Sequence, residues 1–272
     1  MGMILLHREA ALLPENQSAP AGRGRICLMD ELRGFAVFCM IFYHGFYTFG
    51  YLFGNDVGIY FFRFFMPAEP FFAGMFLFIS GVASNLTHSN LARGTRLLAV
   101  ALGVTLVTWI FVPEDVITFG VLHFLSACMI LFGFLKPLAD RYRFSWVPVV
   151  LCFALYFLTR GVPRGYLGYG PGLGLALPQG LYVSAWLAPL GFPGPGFESS
   201  DYFPMLPWVF VFAAGTFVGK LAKAGRIPAF AYRPQVPPLS WFGRHALVLY
   251  LVHQPVIYGF CLLLRALVFR LS

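Results

Sequence analysis

The chain has 272 residues, 59% of them hydrophobic and only 11% charged, with a mean hydropathy of +0.75 and a formal net charge of +8. A soluble domain carries about 25% charged residues, so a fully water-covered surface is excluded and the outer face must meet a lipid bilayer. The basic residues lie in short segments between apolar runs rather than along one face, which excludes nucleic acid as a partner and reads as a topology signal.

Residues 1–25 mix polar and apolar types with Pro14, Pro20 and Gly22, and read as a flexible cytoplasmic tail. The apolar stretch before His7 is too short for a signal peptide. A bilayer core of roughly 30 Å takes about 20 apolar residues in a helix. On that measure residues 26–272 form one all-α domain, a polytopic bundle of about seven transmembrane helices. The predicted spans are about 34–53, 67–85, 97–112, 117–135, 145–159, 203–221 and 245–266. The third and fifth are short and need a thin bilayer or protein around them. With the N-terminus cytoplasmic, 14 Lys and Arg fall in inner segments and five (Arg63, Arg160, Arg164, Arg265, Arg270) in outer ones. This bias predicts an N-in, C-out protein of the plasma (bacterial inner) membrane. The acidic turn Pro113–Val116 then falls outside. So does the Gly- and Pro-rich connection 161–202. Its apolar middle, Leu173 to Leu190, predicts a re-entrant or surface-lying cap, because a further span would move the Lys220–Arg244 basic cluster outside. The five cysteines form no CxxC pair and read as small buried hydrophobes; no metal is predicted.

Ionisable groups at membrane depth are costly and are candidates for function. Arg33 and His44 stand eleven residues apart, close to three helical turns and roughly 16 Å along one face. A guanidinium at the inner mouth suits an anionic donor, and a deeper imidazole suits a base or nucleophile. The bland alternative makes Arg33 a positive-inside anchor and His44 a hydrogen-bonded core residue. His123 and His253, on the fourth and seventh spans, either converge with His44 on one cavity or bond between helices. Asp30 and Glu31 read as carboxylates favoured by the dipole of the first helix, and Glu69, between Pro67 and Pro70, as the outer start of the second span. Asp201 either caps the sixth span or borders an acceptor.

The string Asp30-Glu31-Leu32-Arg33-Gly34-Phe35-Ala36 followed by His44 resembles the opening of membrane acyltransferases, whose signature is Arg, ten residues, then His. Further blocks are Phe78–Gly81, Ile117–His123, Asp201–Trp208 and Gly243–Pro255. In this order, over about residues 26–265, the chain resembles bacterial relatives of the heparan-α-glucosaminide N-acetyltransferase catalytic domain. The resemblance implies a transmembrane acyltransferase that takes an acyl group, acetyl by preference, from cytosolic acyl-CoA. The acceptor it implies is a hydroxyl or amine of a glycan or similar molecule on the extracytoplasmic side. In the heparan enzyme an Asn stands where His44 stands here, and its catalytic His lies in the following loop. Here that loop, Gly45–Val57, holds no His, and its polar members are Asn55 and Asp56. His44 therefore carries the catalytic expectation, with His123 and His253 orienting it or polarising the carbonyl. Arg33 and Arg244 are expected to meet the CoA phosphates, and Asp201, Asn55 and Asp56 the acceptor. Homodimerisation is left open. Two other readings also stay open, a small transporter or lipid-handling protein without catalysis and a family member that has lost activity.

Overall fold

The computed structural model describes residues 24–170 and 172–271. The expected tail 1–25 lies outside them up to residue 23. Nine α-helices occur among the described residues: α1 Cys27–Tyr47, α2 Asp56–Phe65, α3 Glu69–Leu86, α4 Asn90–Phe111, α5 Val121–Ala139, α6 Val147–Thr159, α7 Met205–Lys223, α8 Pro237–Arg244 and α9 Ala246–Leu271. Strand is confined to a two-residue pair, β1 Tyr166–Leu167 antiparallel to β2 Leu175–Ala176. Seven helical segments are long and apolar enough to cross a membrane. The outer surface is what a lipid solvent selects, with Trp109 and Phe111 on α4, Val147 and Val150 on α6 and Val256 and Phe260 on α9 all exposed. The chain is a multi-pass membrane protein.

The predicted second span corresponds to α3, and what the sequence did not announce is α2, through which the apolar stretch reaches back to Asp56 across a 3₁₀ break at Met66–Ala68. Pro67 removes one backbone donor there, and α3 restarts at Glu69. Rings on both sides of the break, Phe62 and Phe72, pack on Tyr43 of α1 at 4.9 and 6.0 Å. Glu69 is thus the first residue of α3, as expected, but the preceding α2 continues the apolar stretch on its other side. As expected, the described residues of the connection after α6 contain no spanning helix; they fold as the β1–β2 pair and short 3₁₀ turns.

Packing is tightest along α3 and α7, α1 and α8, and α4 and α5. Bundles in lipid gain stability from close backbone approach. At the α3–α7 seam a Cβ on Gly81 would overlap the Phe212 carbonyl, and at the α1–α8 seam one on Gly34 would overlap the Leu239 carbonyl. Leu77, Ala101, Phe124 and Cys128 fill the core, each at most 1% exposed. At the end of the bundle holding the start of α4, lysines satisfy carbonyls at and just beyond helix C-termini. Lys136 donates to Thr87 O at 2.9 Å, and Lys220 to Ala139 O at 2.5 Å and Tyr142 O at 2.6 Å.

Candidate active site

Several chain segments meet around a cavity of about 210 Å³. Helix α1 contributes Ala36 to His44, α3 contributes Glu69 to Phe76, and α5 contributes its first residue, Val121. The segment Ser200–Phe203 and Tyr250 of α9 complete the lining. The walls are mostly apolar, so the few polar groups stand out: His44, Glu69, Asp201 and the tyrosine hydroxyls.

His44 is partly buried, and its ring lies on Tyr43 and on His253, 5.1 Å from the latter. The Gln254 amide meets its Nδ1 at 3.3 Å, and the Thr48 hydroxyl donates to that same amide at 3.3 Å. A hydroxyl both donates and accepts, so Thr48 supports either orientation of the amide, and with it either tautomer of His44. For His253 the tautomer is fixed. Its Nδ1 faces the Tyr250 carbonyl at 2.7 Å, and a carbonyl only accepts, so Nδ1 carries the proton and Nε2 a bare lone pair. That Nε2 is buried with no protein partner, the kind of orphan that calls for an explanation. His253 packs behind His44 and Tyr250 rather than on the cavity wall.

Asp201 caps a helix, but not the one that follows it. Its Oδ2 accepts from the Val121 backbone N–H at 3.0 Å and from the Tyr250 hydroxyl, so it closes the N-terminus of α5 from 80 residues away while facing the cavity. Burial pushes its carboxyl above the ordinary range, while the Tyr250 hydroxyl, the Val121 N–H and the nearby His253 and His123 rings pull it back. The segment is held in place by Phe203 N–H donating to Phe119 O at 3.1 Å and Ser200 N–H to Val116 O at 3.3 Å.

His123 does not reach this cavity. Its Nδ1 accepts from Gly120 N–H at 3.3 Å, and its Nε2 faces Thr105 Oγ1 at 3.2 Å, whose own proton goes to Ile117 O. Both ring nitrogens are thus used in capping α5 and tying it to α4. The ring borders a separate apolar groove between α4 and α5.

A family model described as the heparan-alpha-glucosaminide N-acetyltransferase catalytic domain matches residues 25–255, well over half of the chain. The chain belongs to this family. The family carries a membrane acetyltransferase type of activity and points to acetyl-CoA as donor. No curated protein and no solved structure matches the chain.

The family's opening string divides in two in this member. Asp30 is buried between the guanidiniums of Arg25 and Arg33, the latter at 3.3 Å. Glu31 turns away from them. Its Oε1 accepts from Gln235 N at 2.6 Å, Val236 N at 2.9 Å and Ser240 Oγ at 3.1 Å, closing the N-terminus of α8. Asp30 is thus held by guanidiniums close in sequence, whereas Glu31 has tertiary partners beyond the helix dipole. Gly243 presses on the Asp30 carbonyl, which brings its neighbour Arg244, exposed, to the same corner of the bundle as Arg33. Asn55 and Asp56 lie elsewhere. Asn55 caps α2 by accepting from Val57 N at 3.0 Å and Gly58 N at 3.2 Å, Asp56 is exposed, and neither lines the cavity. Glu69 is the wall residue that sequence reasoning set aside. Its signal was an ionisable side chain between two prolines inside a long apolar stretch.

Proposed function

We propose that the chain transfers an acetyl group from acyl-CoA, held at the Arg33–Arg244 corner, to a hydroxyl or amine that enters the cavity beside His44. The observation that carries this reading is the position of His44. It is a cavity-lining imidazole three turns along α1 from a guanidinium, and it shares that cavity with Glu69 and Asp201. The Arg33 end is assigned to the cytoplasm, where CoA is available and the basic residues crowd, and the His44 end to the extracytoplasmic side.

In this reading Arg33 and Arg244 meet the CoA phosphates through charge-assisted hydrogen bonds. The thioester carbonyl approaches His44 through the apolar part of the cavity lined by Ala36, Val37 and Met40. With the Gln254 carbonyl turned toward Nδ1, the Nε2 of His44 is bare and takes the proton of the acceptor O–H or N–H. The acceptor atom bonds to the acyl carbon, the C–S bond breaks, and the CoA thiolate recovers the proton from the imidazolium. Glu69 and Asp201 border the acceptor. His253 supports the His44 ring from behind. His123 is given no chemical role here, because both of its nitrogens serve the cap of α5.

The test is purified protein in liposomes with labelled acetyl-CoA. Transfer of label to a hexosamine or glycoside acceptor, lost in His44→Ala while folding is retained, supports the reading. Undiminished transfer by that variant removes His44 from the mechanism.

A further inference from the structure

From Gly165 to Phe197 the chain runs for 33 residues without one Asp, Glu, Lys, Arg or His. A connection of that length in water is ordinarily rich in charge. Here a set of large apolar side chains points outward: Trp186 is 89% exposed, Leu173 87%, Tyr169 77%, and Leu175 and Val183 72% each.

The segment is nevertheless well held on its inner side. Gly168 N–H donates to Leu158 O at 2.7 Å, Leu177 N–H to Gly165 O at 2.9 Å, and the Tyr182 hydroxyl to Val162 O. Val162 and Ala188 are buried, at 1% and 0% exposure. The outward apolar side chains are thus displayed on an ordered frame. Both ends are fixed to spanning helices, since the fifth candidate span ends at Arg164 and the sixth begins at Met205. The exposed apolar surface also continues onto α6 through Phe157 and Leu158.

We infer that residues 165–170 and 172–197 form a surface seated in the lipid interface of the leaflet at the His44 end, with Trp186, Leu173 and Tyr169 inserted at the headgroup–acyl boundary. Tryptophan and tyrosine favour that boundary because each joins an apolar ring to a polar handle, and the absence of charge removes the cost of bringing the segment there. The local turns and the β1–β2 pair satisfy part of the backbone internally, as a poorly hydrated site requires. The seat extends to the cavity. The Tyr202 hydroxyl donates to Ala188 O at 2.5 Å, and its ring lies 5.1 Å from that of Phe197, so the cavity wall at Ser200–Phe203 is tied to the lipid-seated segment.

The test is fluorescence of the full chain in phosphatidylcholine vesicles, taking the wild-type spectrum minus that of Trp186→Phe. The inference expects a blue-shifted Trp186 component that is quenched by lipid brominated high on the acyl chain and protected from aqueous iodide. A red-shifted component quenched by iodide and indifferent to brominated lipid overturns it. A component that neither quencher reaches also overturns it, because that places the segment against a second copy of the chain. Leu173→Trp in the Trp186→Phe background should restore the lipid-quenched signal and guards against a local fault of the first variant. None of these readings depends on enzymatic turnover.

Discussion

The rings of His44 and His253 stand 5.1 Å apart, tilted by 54°, on helices separated by some 200 residues of chain. His44 faces the cavity, while His253 holds its proton on the atom bonded to Tyr250 O and leaves its other nitrogen toward the protein interior. If the two act as one unit, their loss should not add. A positioned imidazole used in proton transfer contributes about 10²- to 10⁴-fold. His44→Ala is expected to lower acetyl transfer by about that much, and His253→Ala by less. The double variant should be no slower than His44→Ala alone, as expected for groups that function together. Additive losses in a single-turnover assay would separate the two residues.

Gln254 is the only side chain hydrogen-bonded to His44 among the described residues, and Thr48 holds its amide from the other side. Gln254→Ala frees the imidazole to rotate without touching the cavity wall. The expected result is a fall in the maximal rate of about tenfold or more with little change in KM, because orientation matters most in the transition state. Thr48→Val should give a weaker effect of the same kind. A change confined to KM would make Gln254 a binding residue instead.

The number of spans and the candidacy of His44 were legible because apolarity and an Arg–His spacing are properties of the sequence alone. The wall of the site was less so. Glu69 between two prolines reads as the start of a helix, and it is the first residue of α3, but nothing in the sequence tells that its side chain lines the cavity. Asp201 reads as a cap for the helix that follows or as a border of the acceptor, whereas its hydrogen-bond partners are Val121 and Tyr250. His123 reads either as a partner of His44 in the cavity or as a bond between helices, and its two nitrogens are consumed by Gly120 and by Thr105 of α4. Glu31 caps α8 from 204 residues away. For Asp201, His123 and Glu31 a deciding partner lies elsewhere along the chain, and helical periodicity carries no record of it.

The α1–α8 seam gives a prediction in which two effects oppose. Inside a helix, Gly→Ala is ordinarily worth up to about 1 kcal/mol in favour of Ala. At Gly243 the added methyl would overlap the Asp30 carbonyl oxygen, and overpacking costs about 1–3 kcal/mol or more. The steric cost wins, so Gly243→Ala should lower the melting temperature in detergent. Glu31→Ala strips three donors of their acceptor. Ser240 is the buried one of these and costs about 1–3 kcal/mol when left unsatisfied, while water can replace the acceptor at the exposed Gln235 and Val236, so Glu31→Ala should also lower the melting temperature, with Glu31→Gln milder because one oxygen remains. Thermal unfolding of the three variants orders them.

Asp201 makes stability depend on pH with a definite sign. Its ordinary value is 3.8, and burial raises it in the folded protein more than its hydrogen bonds and nearby imidazoles lower it. Between the unfolded and folded values the native state keeps a proton that the unfolded chain has released. The unfolded state then binds fewer protons than the native one, and stability falls as pH rises through that window. Above the folded value the penalty is constant. Asp201→Asn keeps an oxygen for Val121 N–H and Tyr250 but does not titrate. The melting temperature of the wild type relative to Asp201→Asn is therefore expected to decline from about pH 4 upward and then level off. A difference that grows with pH would mean that the cap holds the carboxylate ionised against burial, and parallel curves would mean that Asp201 titrates alike in both states.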